Sequence, residues 1–242
     1  MEITELQKDL AATFRWAARL NMHEGVANHF SACLPNSTTD FYVNKSGIHF
    51  SRMKASDLIL VTKENFNDLK TKPEIVDSTA INIHGTIHHK VPHARCIFHV
   101  HSKYATALST LKDPTLPPID QNTMRFFNRI SHYNEYGGMG FEDESKKMAN
   151  ALGNKHHMLL ANHGILTTGE SVSDGFDALY YFEKSAETYL TALSTNKQLN
   201  IASDEVAEKT AQEWANYPTD LARAHLDQIR LILDKEEPDY KS

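Results

Sequence analysis

The order of apolar and polar residues along the chain predicts helices and strands that follow one another in a mixed order. Apolar residues recur at helical spacing in three long segments, which predicts amphipathic helices over residues 3–20, 77–90 and 173–193. Short apolar runs bounded by turn residues predict strands over residues 28–34, 41–44, 58–62, 95–100, 156–161 and 165–168. Together these elements favour an α/β domain.

The C-terminal part of the sequence is also helical in pattern, from Asp204 to Lys235, with an interruption near Tyr217-Pro218. We therefore expect one domain over residues 1–242 with a helical extension from about residue 200, and frayed charged residues at its end. The extension carries more apolar residues than one short surface helix would bury, which favours a homo-oligomer: Trp214, Leu221, Leu226, Ile229 and Leu233.

Three histidines at predicted strand ends form a candidate metal site. In an extended chain, His99 and His101 point to the same face, about 7 Å apart along the backbone. A second apolar run ends in His163, which is followed by Gly164. Imidazole is the commonest protein ligand for transition metals, so His99, His101 and His163 are the predicted metal ligands. The alternative is a set of partly buried histidines that bind no metal.

Composition excludes several classes of partner. The net charge is −6, and the 25 basic residues are scattered, unlike the basic face of a nucleic-acid-binding protein. No window contains eighteen apolar residues, and the first residues are acidic where a signal peptide would be basic, so we expect no membrane partner and a cytoplasmic location. Cys33 and Cys96 each lie within an apolar run, which favours buried free thiols.

Five short motifs, taken together, resemble the class II aldolase/adducin family. They are Ala27-Asn28-His29-Phe30-Ser31, Asn44-Lys45-Ser46-Gly47, Ser78-Thr79-Ala80 with His84 four residues on, His99-Val100-His101-Ser102 and Asn162-His163-Gly164. The family includes sugar-phosphate aldolases such as fuculose-phosphate aldolase, decarboxylases, and the non-catalytic head domain of adducin. The resemblance implies a three-layer α/β/α domain around a mixed, largely antiparallel central sheet, and usually a homotetramer.

The resemblance also implies roles for particular residues. His99, His101 and His163 fall on the metal histidines, which implies a divalent ion, zinc first and manganese or iron as alternatives. Five further residues fall on the pocket that holds an anionic group of the small-molecule substrate: Asn28, Ser46, Gly47, Ser78 and Thr79. Taken alone, these five residues also fit an ordinary polar turn and a helix N-cap.

One position departs from the family pattern. The aldolases place a catalytic glutamate where this chain has Ala80, and an alanine side chain cannot transfer a proton. Tyr133, Glu135 and His84 are the candidates for this catalytic role, although each also fits a purely structural role.

We therefore predict a metal-dependent lyase that acts on a small anionic carbonyl or sugar-phosphate-like substrate. Aldol cleavage and decarboxylation both fit, each through an enolate that the metal stabilises. A non-catalytic, adducin-like interaction domain is the first alternative. A non-haem iron oxygenase with three histidine ligands is the second.

Overall fold

A computed structural model describes residues 3–138 and 142–242, with only the backbone described at residues 142 and 143. The helices of this part are α1 (Glu5–Arg19), α2 (Phe66–Lys70), α3 (Ser78–Lys90), α4 (Lys103–Ser109), α5 (Gln121–Met124), α6 (Glu142–Leu152), α7 (Val172–Ser194), α8 (Asp204–Ala215) and α9 (Leu221–Glu236). The strands are β1 (His29–Cys33), β2 (Phe41–Asn44), β3 (Leu58–Val61), β4 (Cys96–Val100), β5 (Ile130–Tyr133), β6 (His157–Leu160) and β7 (Gly164–Gly169).

These strands form one sheet in the order β3-β2-β1-β4-β7-β6-β5. Neighbouring strands are antiparallel except for β5 and β6, which are parallel. The predicted strands at residues 28–34 and 41–44 are present as β1 and β2, which pair antiparallel around the polar turn between them. The predicted mixed, largely antiparallel sheet is therefore confirmed.

Helices cover both faces of the sheet. On one face, Phe30 and Phe98 pack in a cluster with apolar residues of α1, α4, α7 and α9. On the other face, Ile97 and Leu166 pack in a cluster with apolar residues of α3 and α6. Alternate residues of each central strand are buried on opposite sides, because side chains alternate along a strand. This arrangement confirms the three-layer α/β/α fold.

The end of the chain is docked onto the protein, so the expected fraying is wrong. Residues 238–241 form a short 3₁₀ turn, and Tyr240 is fully buried within it. Arg15, itself 6% exposed, forms ion pairs with Glu237 (3.0 Å) and Asp239 (2.8 Å). Ser56 N–H donates to Ser242 O (3.0 Å). The burial of Tyr240 and the ion pairs of Arg15 therefore stabilise the charged end of the chain.

The apolar residues of α9 are largely covered by the chain itself. Leu226, Ile229 and Leu233 are buried, and α9 packs against α1 and α7. These side chains therefore need no partner subunit, whereas Leu231 and Ile232 are exposed. The homo-oligomer stays a prediction. Among the described helices, none has the length and apolar composition needed to cross a bilayer.

Candidate metal centre and anion pocket

The two histidines of the HxH motif lie at the end of β4, in the centre of the sheet. His99 is 2% exposed, and His101 follows the last strand residue. Their Nε2 atoms lie 3.1 Å apart. Metal–nitrogen bonds of roughly 2.0–2.1 Å at a tetrahedral ion place two ligand nitrogens about 3.4 Å apart. The pair is therefore close to the separation that one ion requires.

His163 reaches the same point from the turn between β6 and β7. The turn depends on Asn162, whose φ of +54° reverses the chain, and on His163 N–H, which donates to Leu160 O (3.1 Å). Gly164 permits the close approach of β7 to β4, because an added Cβ would lie 2.4 Å from Val100 O. One ring nitrogen from each of the three histidines lies within 4.8 Å of the others.

The protons on the HxH pair are directed away from the site. His99 Nδ1 donates to Ile165 O (3.0 Å), and His101 Nδ1 donates to Glu24 Oε2 (2.5 Å). In neutral rings, both Nε2 atoms then carry lone pairs that face each other at 3.1 Å. Two such lone pairs repel unless a cation lies between them. The donor set fits a divalent ion held by imidazole nitrogens, with Glu24 orienting His101 from behind.

Burial favours the neutral form of His99 and His163. It lowers the pKa of His163 to about 4, with the neighbouring His101 lowering it further. It also lowers the pKa of His99 well below the ordinary value. At neutral pH the rings of His99 and His163 therefore keep the lone pairs that a metal ligand needs.

Asn28, one of the five residues predicted to bind an anion, lies beside this site. Asn28 directly precedes His29, which is paired with His99 across β1 and β4. Asn44 Nδ2 donates to Asn28 O (3.3 Å), and Ser46 N–H donates to Ile75 O (2.9 Å). These bonds bring the start of β1, the loop after β2 and the segment before α3 together.

Asn28 has a side-chain N–H donor that no hydrogen bond among the described residues uses. The residue is 1% exposed, and its Oδ1 accepts from Glu24 N–H (2.7 Å). Its Nδ2 is buried and has no hydrogen-bond partner in the described part of the chain. A buried unpaired donor is costly, so Asn28 is suited to an anionic ligand that would accept from it.

The other predicted anion-binding residues surround an open loop and a helix start. Gly47 has a φ of +76°, and no atom lies within 4 Å of the position of an added Cβ. Ser78 and Thr79 form the first turn of α3, where Thr79 N–H donates to Asp77 Oδ1 (2.8 Å). Asp77 is the N-cap of α3, so Ser78 and Thr79 lie within the first turn and are not themselves the cap.

Ala80 supplies no carboxylate at this position. Its side chain is 1% exposed and lies in an apolar cluster. The carboxylate of Asp77 lies nearby but is engaged, because it accepts from Thr79 Oγ1 (2.5 Å) as well as from Thr79 and Ala80 N–H. Burial raises the pKa of Asp77, but these hydrogen bonds outweigh it, and the pKa lies below its usual value.

Two of the three candidates for the missing glutamate lie apart from the histidines. Tyr133 is buried against α3 and α6, with its hydroxyl 3.5 Å from Glu144 Oε1. Glu135 is exposed and lies 3.6 Å from Lys147 Nζ. In the described residues, neither of the two makes a hydrogen bond or ring contact with the histidine triad. His84 is fully buried behind His29, whose Nδ1 lies 2.7 Å from His84 Nε2.

Three residues at the site were not singled out from the sequence. Glu24 contacts His101, and His29 lies 5.0 Å from His99 between ring centroids. Tyr136, which is 53% exposed, lies 6.3 Å from His163 between ring centroids. Cross-strand pairing with the HxH strand would have identified His29, whereas Glu24 and Tyr136 lie in loops with no local sequence signal.

Known proteins are similar to this chain in fold and in sequence. The structure of L-fuculose 1-phosphate aldolase from Glaciozyma antarctica is 26% identical and covers 98% of this chain and 92% of its own, with a TM-score of 0.82. An aldolase class 2 protein of Pseudomonas aeruginosa is 30% identical over 79% of this chain and 73% of its own length. The decarboxylase NovR of Streptomyces niveus is 26% identical over 86% of this chain and 76% of its own length.

A family model agrees with these similarities over most of the sequence. The model of the class II aldolase and adducin N-terminal domain matches residues 8–190, which include the histidine triad and the anion pocket. The chain therefore belongs to the class II aldolase and adducin N-terminal domain family.

Proposed function

We propose that this chain is a divalent-metal-dependent lyase that breaks a carbon–carbon bond in a small anionic substrate with a carbonyl group. The main observation in support is that the Nε2 atoms of His99 and His101 face each other, 3.1 Å apart. Both rings direct their protons elsewhere, and the unpaired amide of Asn28 lies one residue from the strand partner of His99. The imidazole lone pairs are therefore suited to a cation, and the Asn28 amide is suited to an anion.

His99, His101 and His163 would hold the ion, with zinc proposed and manganese or iron as alternatives. When bound, such an ion supplies Lewis-acid stabilisation of the negative charge that develops on a substrate oxygen. Glu24 holds the His101 ring through Nδ1, so its own role is orientation.

The anionic group of the substrate would lie on the Asn28 side of the site. Asn28 Nδ2 donates to it, and the open backbone at Gly47 allows close approach. The family resemblance adds Ser46, Ser78 and Thr79 to the proposed anion site. A phosphate or a carboxylate would accept the hydrogen bond that Asn28 Nδ2 offers.

The absence of a carboxylate at Ala80 favours decarboxylation over ordinary aldol cleavage. Retro-aldol cleavage requires a base to take the proton of the hydroxyl group as the carbon–carbon bond breaks. Decarboxylation needs no such base, because the bond to the carboxylate breaks, carbon dioxide leaves, and the electron pair stays on the substrate until a proton arrives. The similarity to a decarboxylase supports this choice.

The test is an assay of the full chain loaded separately with zinc, manganese or iron(II). Fuculose 1-phosphate cleavage and decarboxylation of small 3-keto acids would be measured, together with oxygen uptake. Decarboxylation that is weakened in Asn28→Leu, mainly through KM, and unaffected in the surface control Asn36→Leu would support the proposal. Oxygen uptake by the iron form would favour the oxygenase alternative, and inactivity with every metal would favour an adducin-like domain.

We also propose a homotetramer, as the family resemblance implies. Light scattering that gives a monomer at micromolar concentration would contradict it. The cytoplasmic location stays a prediction.

A further inference from the structure

A line of buried polar side chains runs from α3 to the candidate metal centre. We call it the histidine column, and it consists of His88, Ser31, His84 and His29. Ser31 Oγ lies 2.7 Å from His88 Nε2 and 2.6 Å from His84 Nδ1. His84 Nε2 lies 2.7 Å from His29 Nδ1. All four residues are at most 3% exposed, so this network is closed to bulk water.

The hydrogen bond of His88 at the far end of the column determines which ring nitrogen carries the proton in each of its histidines. His88 Nδ1 lies 2.7 Å from Ala94 O, an acceptor, so this nitrogen carries a proton. Burial lowers the pKa of His88 to about 4, so the ring is neutral at pH 7 and its Nε2 is an acceptor. Ser31 must therefore donate its hydroxyl proton to His88 Nε2.

The same reasoning passes along the column to His29. Because Ser31 has only one proton, its oxygen accepts from His84 Nδ1–H. His84 is also neutral, because burial lowers its pKa well below the ordinary value, so its Nε2 accepts from His29 Nδ1–H. His29 Nε2 is thereby left with a lone pair, and it has no hydrogen-bond partner among the described residues.

The position of His29 brings its ring beside the candidate metal centre. His29 pairs with His99 across the two central strands, and the two ring centroids are 5.0 Å apart. The Nδ1 edge of the His29 ring faces His84, so Nε2 lies on the opposite edge. Ala80 offers no acceptor from α3. The carboxylate of Asp77 interacts electrostatically with His29, but its hydrogen bonds come from its own helix.

We propose that His29 Nε2 accepts a hydrogen bond from a hydroxyl group of the substrate. Ser31 and His88 are positioning residues that hold His29 in the tautomer with Nδ1 protonated. The role of His29 rests on the proposed function, because it requires a substrate held by the metal centre. The tautomer itself depends only on the fold.

The first test is nitrogen NMR of the zinc-loaded full chain with labelled histidine. The column requires a proton on Nδ1 and none on Nε2 in His29, His84 and His88. Ser31→Ala should release this preference in His84 and His29, whereas Ser31→Thr, which retains the hydroxyl group, should preserve it. A proton on Nε2 of His29 in the wild type would overturn the proposal.

The second test uses two metal-chelating probes that differ by one hydroxyl group. Glycolohydroxamate and acetohydroxamate would be titrated into the cobalt-loaded protein and followed by visible absorption. One added hydrogen bond predicts a preference of about threefold to tenfold for glycolohydroxamate. The preference should be lost in Ser31→Ala and His29→Leu and retained in Ser31→Thr. An equal preference in all four proteins would overturn the contact.

Neither test requires turnover. A protein that keeps the tautomer and the probe preference but has no lyase activity would refute the proposed function and leave the column intact. A protein that decarboxylates substrate but lacks the preference would refute the contact alone.

Discussion

Glu24 Oε2 lies 2.5 Å from His101 Nδ1, which ties the loop between α1 and β1 to the candidate metal centre. A carboxylate that accepts from the far nitrogen of a metal-binding imidazole orients the ring and makes it a stronger ligand. Glu24 is 63% exposed, so the contact depends on this one hydrogen bond and not on packing.

Glu24→Gln should weaken metal binding by about tenfold to a hundredfold, because a neutral amide is a poorer acceptor for His101 Nδ1–H. Competition with a chromogenic chelator measures the affinity. Glu213→Gln, an exposed change on α8, is the control and should leave it unchanged. Equal affinity in all three proteins would show that Glu24 does not support the site.

Alanine at His99, His101 or His163 should each abolish stoichiometric metal after dialysis, since two imidazoles alone hold an ion weakly. Metal content per chain is measured by plasma mass spectrometry. His93→Ala is the matched control, because His93 lies in a separate pair with His156. Retention of metal by His99→Ala and His163→Ala would place the site elsewhere.

His157 should make the protein less stable in mild acid. Burial lowers its folded pKa to about 3, whereas an unfolded histidine titrates near 6.5. Below pH 6.5 only the unfolded state takes up the proton, so stability falls as the pH drops towards 3, by about 2 kcal/mol between pH 7.5 and 5.

Urea unfolding at the two pH values measures this dependence. His157→Gln should lose most of the contribution of His157, and the exposed control His89→Gln should behave like the wild type. The same pH dependence in His157→Gln as in the wild type would contradict the assignment.

Ala80→Glu should lower the free energy of unfolding by about 1–3 kcal/mol, because the larger side chain must fit a packed apolar cluster. It should also raise the cleavage of fuculose 1-phosphate above that of the wild type, which we expect to be a poor aldolase. Ala80→Gln separates the acid from the added volume. Efficient cleavage by the wild type would show that Ala80 does not limit aldolase activity.

Tyr240→Ala should destabilise the protein by about 3 kcal/mol, since it empties a fully buried aromatic site at the chain end. Thermal unfolding measures the loss. Tyr217→Ala, at a half-exposed tyrosine, should leave the midpoint nearly unchanged. Equal midpoints for Tyr240→Ala and the wild type would mean that the chain end is not docked in solution.

Much of the fold is determined by local sequence patterns. Short apolar runs predict β1 and β4, and helical spacing predicts α1, α3 and α7 and the face that each helix buries. The HxH spacing specifies that His99 and His101 share a face, because a strand has a period of two. These features follow from contacts between residues close in sequence.

Tertiary structure alone decided the strand β5 and the docked chain end. Residues 130–133 have no clear pattern of their own, and they become a strand by pairing in parallel with β6. The charged end is ordered because Arg15 pairs with Glu237 and Asp239 across more than two hundred residues of sequence, and because Tyr240 is buried. Such stabilisation depends on burial that no local pattern records.

The surroundings of the metal centre were decided in the same way. That His99 and His101 both present Nε2 follows from Ile165 O and Glu24, which come from other parts of the chain. Strand register places His29 opposite His99. The tautomer of His29 depends on the proton of His88, which is donated to Ala94 O beyond the end of α3. The sequence by itself determined which ligands the site contains, and only the packed structure decided how they are oriented, because orientation depends on hydrogen bonds between distant segments.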